Sequence, residues 1–238
     1  MLAGHFTTAL IAKQKFPKGI LLYFLIISQL QDLLWFSLHY VGLEKTIPQD
    51  ALDTTIPNIY ADMLYSHDLI PQVIWLSLVF LIGKLLFKNN KIALVGSTIL
   101  LSHYVLDFFS GHPHFIFGEE SHQFGLGLYD TMPYLAIGIE ILFIIVSLGY
   151  FFFQESKKGV KRTDKNKATI IGVFVYGIIF MLSTATSSFR ETLDIPDFDL
   201  GFNTLVPTLL FTYIAMIWVL NYSVPKFETK KNEKTTYN

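Results

Sequence analysis

The amino-acid sequence predicts an all-α fold: a polytopic membrane helical bundle with six transmembrane helices and an N-terminal re-entrant helix. Three observations lead to this prediction: the composition, six long apolar runs, and the uneven distribution of basic residues among the connecting segments. The 238-residue chain is 52% hydrophobic and only 16% charged, whereas a soluble domain carries about 25% charged residues. This apolar surplus predicts a lipid bilayer as a partner and excludes a small soluble domain or a disordered protein. The net charge of −1 gives no basic surface, which excludes a nucleic-acid partner.

The six apolar runs are the predicted transmembrane helices. They cover residues 20–43, 69–87, 92–109, 129–154, 169–187 and 204–223. Each is close to the roughly 20 residues that an α-helix needs to cross about 30 Å of hydrocarbon. The chain then divides into a membrane core with the candidate metal site at 1–154, a cytoplasmic linker at 155–168, two further transmembrane helices at 169–223, and a disordered cytoplasmic tail at 224–238.

The basic residues predict the orientation of the helices. Segments 1–19, 84–91, 155–168 and 224–238 carry 16 of the 18 Lys and Arg residues. Because cytoplasmic loops are enriched in Lys and Arg, these four segments are expected on the cytoplasmic side. The sequence therefore predicts a multi-pass membrane protein with both termini in the cytoplasm. The first apolar run contains Gln29, Gln31 and Asp32, which is not typical of a cleaved signal peptide.

The N-terminal segment is expected to fold back against the first transmembrane helix. Residues 3–15 are mostly apolar, and 16–19, with the sequence Phe-Pro-Lys-Gly, is typical of a turn. His5 lies 12 residues before Pro17, and Asp32 lies 15 residues after it. At a rise of about 1.5 Å per residue, this hairpin brings His5 and Asp32 to the same depth. A re-entrant segment of this kind is tolerated only when it packs inside the bundle.

Several ionisable residues occur within or beside the apolar runs, where charges are costly and often functional. They are Asp32, the pair His103 and Asp107, His67 in the motif Ser66-His67-Asp68, and His5. Residues four apart share one helix face, so His103 and Asp107 point the same way. The chain has no cysteine, so a metal would be held by His, Asp or Glu. Imidazoles and carboxylates at one depth are a plausible cage for a divalent cation.

Each of these residues also has a purely structural interpretation. Asp32 alone is explained by a hydrogen bond between helices, and His103 with Asp107 by a simple polar pair. His67 and Asp68 alone are explained as the exposed end of a loop, and His5 as a surface residue. It is their coincidence at one depth that favours a site. Weaker candidates lie in an outer loop, namely His112, His114 and His122. Glu140 suits either a supporting role beside the site or packing.

Five segments of the sequence resemble a known family. They are GHFTTALIAKQKFPKG, SQLQDLLW, YSHDLIPQVIWL, LSHYVLDFFSGHPH and GLGLYDTMPYLAIGIEIL, within residues 1–148. In this order they are similar to bacterial integral membrane proteins of the YdjM type, which are described as metal-dependent hydrolases. The resemblance implies a metal-binding set with Ser66 beside it, consisting of His5, Asp32, His67, His103 and Asp107. A fainter resemblance to zinc-dependent phospholipase C implies phosphoester chemistry on zinc.

The resemblance implies a protein of a bacterial inner membrane, and the expected function is a membrane-embedded, metal-dependent hydrolase with zinc as its metal. Its substrate would be a phosphoester or another ester, with a lipid as one candidate, at the outer half of the bilayer. Asp32 or Asp107 would accept the proton of the attacking water, and Ser66 would orient the water or the substrate. Two other functions stay open at this point: a proton- or cation-coupled transporter, and a non-catalytic scaffold or partner of another membrane protein.

Overall fold

The structure is a computed structural model, and it describes residues 2–17, 20–198, 200–226 and 228–229. It is mostly helical, as the sequence predicts. Five helices are long and apolar enough to cross a membrane, and the number rises to six if the bent pair at 21–40 is one span. This confirms a helical protein with five to six potential membrane spans.

Ten α-helices and three two-stranded antiparallel ladders occur among the described residues. The helices are α1 (Gly4–Lys15), α2 (Leu21–Ser28), α3 (Leu30–Tyr40), α4 (Leu69–Phe87), α5 (Asn90–Ser110), α6 (Leu128–Thr131), α7 (Pro133–Lys157), α8 (Asp164–Ser183), α9 (Phe189–Leu193) and α10 (Leu205–Ser223). The strands are β1 (Thr46–Ile47) with β2 (Tyr60–Ala61), β3 (His114–Phe115) with β4 (Gln123–Phe124), and β5 (Val160–Lys161) with β6 (Glu228–Thr229).

The predicted single helix at 20–43 is wrong in one respect, because the chain breaks at Gln29 and α3 leaves α2 at 64°. The Ser28 hydroxyl donates to the Leu25 carbonyl over 2.8 Å, so the Gln29 amide bonds to the Ile26 carbonyl instead. This tighter turn ends α2, since a side chain that bonds to a helix carbonyl competes with the regular ladder. The break sets the direction of α3, which carries Asp32.

The predicted boundaries around the last three long helices also differ from the structure. The short helix α6 precedes Pro133, which begins α7 because proline suits the first helical position. Most of the predicted linker at 155–168 is helical, since α7 ends at Lys157 and α8 begins at Asp164. Of the predicted tail, Glu228–Thr229 pairs with Val160–Lys161, while residues 227 and 230–238 lie outside the described residues.

Helix α1 packs in the interior against α2, α5 and α7, and Phe6, Ala9 and Leu10 on it are fully buried. At its far end, the Lys158 ammonium donates to the Gln14 carbonyl over 2.7 Å. This contact joins the end of α1 to the end of α7, which we call the basic end of the molecule, defined by Lys15, Lys88 and Lys158. The predicted turn at 16–19 lies partly outside the described residues.

The N-terminal end of α1 packs closely against α8 at a glycine, Gly177, which has no side chain. A Cβ atom on Gly177 of α8 would lie only 2.6 Å from the Ala3 Cβ. Non-bonded carbon atoms need about 3.5–4.0 Å. Glycine at this position is therefore what allows the start of α1 to sit against α8.

The opposite end of the molecule, which we call the loop end, is closed by the segments at 41–68, 111–127, 184–198 and 200–204. Arg190 of α9 forms ion pairs with Asp50, at 2.6 Å, and with Asp53. The Leu52 amide, together with the Thr204 hydroxyl and Arg190, holds the pKa of Asp50 below its ordinary value. These contacts fix the 50–58 segment over the ends of α8 and α10.

Candidate metal centre

Five side chains converge in the interior near the loop end. They are the five that the sequence analysis selected as metal ligands: His5, Asp32, His67, His103 and Asp107. None is more than 8% exposed. His5 lies on α1, Asp32 on α3, and His103 and Asp107 on α5, while His67 lies just before α4. Four separate parts of the chain therefore build the cluster.

The His103 ring is held in one protonation pattern. Its Nδ1 lies 2.8 Å from the Ser28 carbonyl oxygen, at the break between α2 and α3. A carbonyl oxygen only accepts, so Nδ1 carries the hydrogen and donates it. In the neutral ring, Nε2 then presents a lone pair. A second partner that fixes the ring in this way is what metal-ligating histidines usually have.

The second ring nitrogen of His103, Nε2, faces two carboxylates. It lies 3.0 Å from Asp107 Oδ2 and 3.8 Å from Asp32 Oδ2. Nε2 is buried, and its contacts with these oxygens do not have the geometry of a hydrogen bond. A lone pair facing carboxylate oxygens is unfavourable, and either a proton on Nε2 or a cation held between the groups removes the repulsion.

His5 completes one side of the cluster. Its Nε2 lies 3.2 Å from Asp107 Oδ1, and its ring stacks on His103 with centroids 3.6 Å apart and an interplanar angle of 7°. The sequence analysis expected His5 at the same depth as Asp32. In the structure its direct neighbours are Asp107 and His103, and Asp32 belongs to the opposite side of the cluster.

His67 and Asp32 form that other side, with His67 Nε2 lying 3.5 Å from Asp32 Oδ1. The other ring nitrogen of His67 shares a hydrogen bond of 2.8 Å with the Ser66 hydroxyl. The expected role for Ser66, orienting water or substrate, does not fit this arrangement. Ser66 is fully buried behind His67 and does not line the neighbouring cavity. It instead orients the His67 ring.

The segment that carries His67 is fixed by two acidic residues. Glu44 accepts hydrogen bonds from the amides of Tyr65 and Ser66, both at 2.8 Å, and burial raises the pKa of Glu44. Asp68 is the N-cap residue of α4. Its carboxylate accepts from the amides of Phe115 and Gly118 at 3.0 and 2.6 Å. Asp68 therefore holds a loop and is not part of the cluster.

These side chains fit a metal ion. Two overlapping groups have ligand atoms that all lie within 4.8 Å of one another: His5 with His103 and Asp107, and Asp32 with His67 and His103. Bonds of 2.0–2.1 Å in a tetrahedral zinc site place neighbouring ligand atoms about 3.3 Å apart. The contacts within the cluster, 3.0–3.8 Å, bracket that value. The buried His and Asp groups can therefore hold a metal ion.

Glu140 of α7 supports the cluster indirectly, because it binds the first turn of α1. Its Oε1 accepts hydrogen bonds from the amides of Ala3 and Gly4 at 2.8 and 2.9 Å, and Tyr129 donates to Oε2 at 3.4 Å. Those amides belong to the first turn of α1, where a negative charge is favourable. Of the two interpretations left open by the sequence, the structure gives Glu140 the supporting role, because it anchors the helix that carries His5.

Two histidines of the outer loop lie closer to the cluster than the sequence analysis expected. The His114 ring stacks on His67 with centroids 5.2 Å apart, and burial lowers the pKa of His114 to about 3. His112 Nδ1 lies 2.5 Å from Asp130 Oδ1. The third weak candidate, His122, is exposed. The sequence signal for the first two was the spacing Gly-His-Pro-His directly after α5.

A cavity of about 460 Å³ opens beside the cluster. Its polar wall contains Asp32, His67 and Asp107, with His112 and His114 next to them. The rest of the wall is mostly apolar and is contributed by α3, α8, α10 and the loop end. His5 and His103 lie behind this wall, so the three wall residues are the members of the cluster that a molecule in the cavity can reach.

Comparison of the chain with protein-family models, with curated proteins and with solved structures found no match. Its class therefore follows from its own features. The chain is a helical protein with five to six potential membrane spans and a buried His/Asp cluster that can hold a metal ion.

Proposed function

We propose that this protein is a zinc-dependent hydrolase of a bacterial inner membrane, and that it cleaves a phosphoester or another ester at the outer half of the bilayer. The observation that carries the proposal is the environment of His103. Its Nδ1–H is committed to the Ser28 carbonyl, and its Nε2 faces the carboxylates of Asp32 and Asp107. A divalent cation satisfies all three groups together.

The cavity favours catalysis over a purely structural metal. Structural zinc sites are closed by protein ligands, whereas catalytic sites keep one position open for water or substrate. Here Asp32, His67 and Asp107 form part of the cavity wall. A small molecule in the cavity can thus reach the ligand cluster directly.

The chain supplies groups for each proton transfer of an ester hydrolysis. When bound, zinc would polarise the ester and lower the pKa of a bound water. Asp32 or Asp107 accepts the proton of the attacking water, since both carboxylates border the cavity. His112, oriented by Asp130 through its Nδ1, faces the same cavity and is placed to protonate the leaving group.

The two ends of the molecule support the proposed membrane placement. Most basic side chains of the described residues lie toward the basic end, which favours a cytoplasmic location for that end and for the C-terminus. The N-terminal end differs from the expected cytoplasmic terminus, because α1 runs from the basic end at Lys15 to the cluster at His5, and Leu2 lines the cavity beside the cluster. His103 and Asp107 lie in the C-terminal half of α5, far from its basic end at Asn90. In this proposal α2 and α3 together form a sixth span, and α1 is the re-entrant helix, because 12 residues reach only about 18 Å.

Hydrolysis of two chromogenic probes tests the proposal. Zinc-loaded protein is expected to cleave bis(4-nitrophenyl) phosphate or 4-nitrophenyl butyrate, to lose this activity with a chelator, and to regain it with zinc. Asp32→Asn and Asp107→Asn should be inactive, while the matched control His122→Ala should keep wild-type activity, because His122 is exposed outside the cluster. Metal-loaded protein that cleaves neither probe contradicts the hydrolase and favours a cation-coupled transporter. Protein that binds no metal favours a scaffold.

A further inference from the structure

The cavity beside the cluster has two chemically different ends. Six of its lining residues carry a carboxyl or imidazole group. Five belong to the cluster or its neighbours at one end: Asp32, His67, Asp107, His112 and His114. The sixth is Asp50, whose two carboxylate oxygens already accept hydrogen bonds from the Leu52 amide, the Thr204 hydroxyl and Arg190. At the other end, the wall is built by Phe180 and Met181 of α8, Leu205 and Leu209 of α10, and Leu2. A molecule that fills this space must itself be polar at one end and apolar at the other.

The apolar end offers few hydrogen bonds to a ligand. The hydroxyls of Thr54 and Thr184 in its wall already donate to the carbonyls of Asp50 and Phe180, at 2.9 and 3.0 Å. The Thr204 hydroxyl donates to Asp50 Oδ1 at 3.0 Å. A sugar, a nucleoside or a peptide would lose its hydrogen bonds to water here without replacement, which is costly. A hydrocarbon chain loses none.

The volume of the cavity and its position also fit a chain. About 460 Å³ lies within the range of small-molecule sites, which are mostly apolar with a few polar groups at one place. The wall includes Thr208, an exposed residue of α10. The apolar end thus reaches the side of the bundle that, in the proposed membrane placement, meets lipid.

We propose that the substrate of this site is an amphiphile with an acyl or alkyl chain. Its ester or phosphoester head contacts Asp32, His67 and Asp107, and its chain lies between α8 and α10 against Met181 and Leu209. This inference deepens the hydrolase proposal and rests on it for the reaction. Occupancy of the cavity by the chain can be measured without any turnover.

Trp35 provides a direct reporter, because it lines the cavity and is buried. The chain has three tryptophans, so Trp75→Phe with Trp218→Phe leaves Trp35 alone. The probe is 12-bromododecanoic acid, whose bromine quenches indole fluorescence at short range. Titration of the single-tryptophan protein in nanodiscs is expected to give saturable quenching.

A matched pair of variants separates the cavity from the lipid. Leu209→Phe adds bulk inside the cavity and is expected to raise the half-saturating probe concentration by about tenfold. Ile214→Phe makes the same kind of change on the exposed face of α10, where Ile214 is 53% exposed, and is expected to leave it unchanged. If Leu209→Phe fails to fold, Met181→Phe with Ile179→Phe as its control makes the same test on α8.

The results of the quenching titration distinguish this inference from the hydrolase proposal. Quenching that rises linearly and equally in all variants means that the probe stays in the lipid, and this overturns the inference whatever the metal content. Saturable quenching of Trp35 that Leu209→Phe weakens supports it, even in His103→Ala protein that has lost its metal. Metal-free wild-type protein would contradict only the hydrolase.

Discussion

Replacement of Gly177 tests whether the start of α1 is held against α8. The added Cβ of Gly177→Ala would lie 2.6 Å from the Ala3 Cβ, about 1 Å inside the usual carbon–carbon contact. An alanine methyl has no rotamer through which to escape. Overpacking of this kind costs about 1–3 kcal/mol, whereas replacing a helical glycine by alanine gains about 1 kcal/mol. The net effect is expected to be destabilising by up to about 2 kcal/mol.

The matched control lies on the same helix. A Cβ on Gly172 meets no atom within 4 Å, so Gly172→Ala should keep the propensity gain and be as stable as wild type or more stable. Because Ala3 is two residues before His5, Gly177→Ala should also bind zinc more weakly, while Gly172→Ala should not. Thermal unfolding and zinc titration of the two variants measure both effects. Equal stability and equal zinc affinity in the two variants would refute the proposed docking of α1.

Three further predictions concern the supports of the fold. Glu140→Ala leaves two buried amides of α1 without an acceptor and should cost about 1–3 kcal/mol in unfolding free energy, whereas Glu140→Gln retains an acceptor oxygen and should cost less. Arg162→Ala isolates the buried carboxylate of Glu155 and should cost about 3–5 kcal/mol, against less than about 1 kcal/mol for the exposed Lys167→Ala; similar losses for both would contradict this assignment. The pKa of Asp50 is lowered in the folded protein, so at pH 7 the wild type should have a larger free energy of unfolding than Asp50→Asn. This difference should vanish as the pH falls below the ordinary Asp pKa of about 3.9 and through the lower folded-state pKa; a difference that does not change with pH would count against the Asp50 contacts.

The residues of the cluster were accessible to sequence reasoning because polar groups inside apolar runs are conspicuous. Asp32 and the pair His103 and Asp107 each interrupt a stretch that otherwise suits lipid. The spacing of four places the last two on one helix face, and in the structure His103 Nε2 lies close to the carboxylates of both Asp107 and Asp32. His5 was found through the predicted hairpin, and the structure places its ring in the cluster against His103 and Asp107.

The cavity could not be predicted, because its walls are built from ordinary apolar side chains. Leu205 and Leu209 line it, whereas Ile214 on the same helix faces outward. In a membrane helix both faces are apolar, so the pattern that separates core from surface in soluble helices is weak. The role of the last two long helices in forming the site was therefore missed.

The bend at Gln29 and the short β3–β4 ladder could not be predicted from the sequence either. The bend at Gln29 depends on a serine hydroxyl that takes the Leu25 carbonyl, and serine within a helix does not by itself predict such a bend. The approach of His114 to His67 depends on the short β3–β4 ladder. A two-residue strand carries too little sequence pattern to predict its pairing.

The most direct test of the account is the zinc content of protein purified without chelator. Elemental analysis of the wild type and of the exposed-histidine control His122→Ala should find at least one zinc ion per chain. His103→Ala should lose this zinc while it remains folded, because its Nε2 is the atom on which both carboxylates converge. Zinc-free wild type that takes up no added zinc, or full zinc retention in His103→Ala, would contradict the assignment of this cluster as a metal centre.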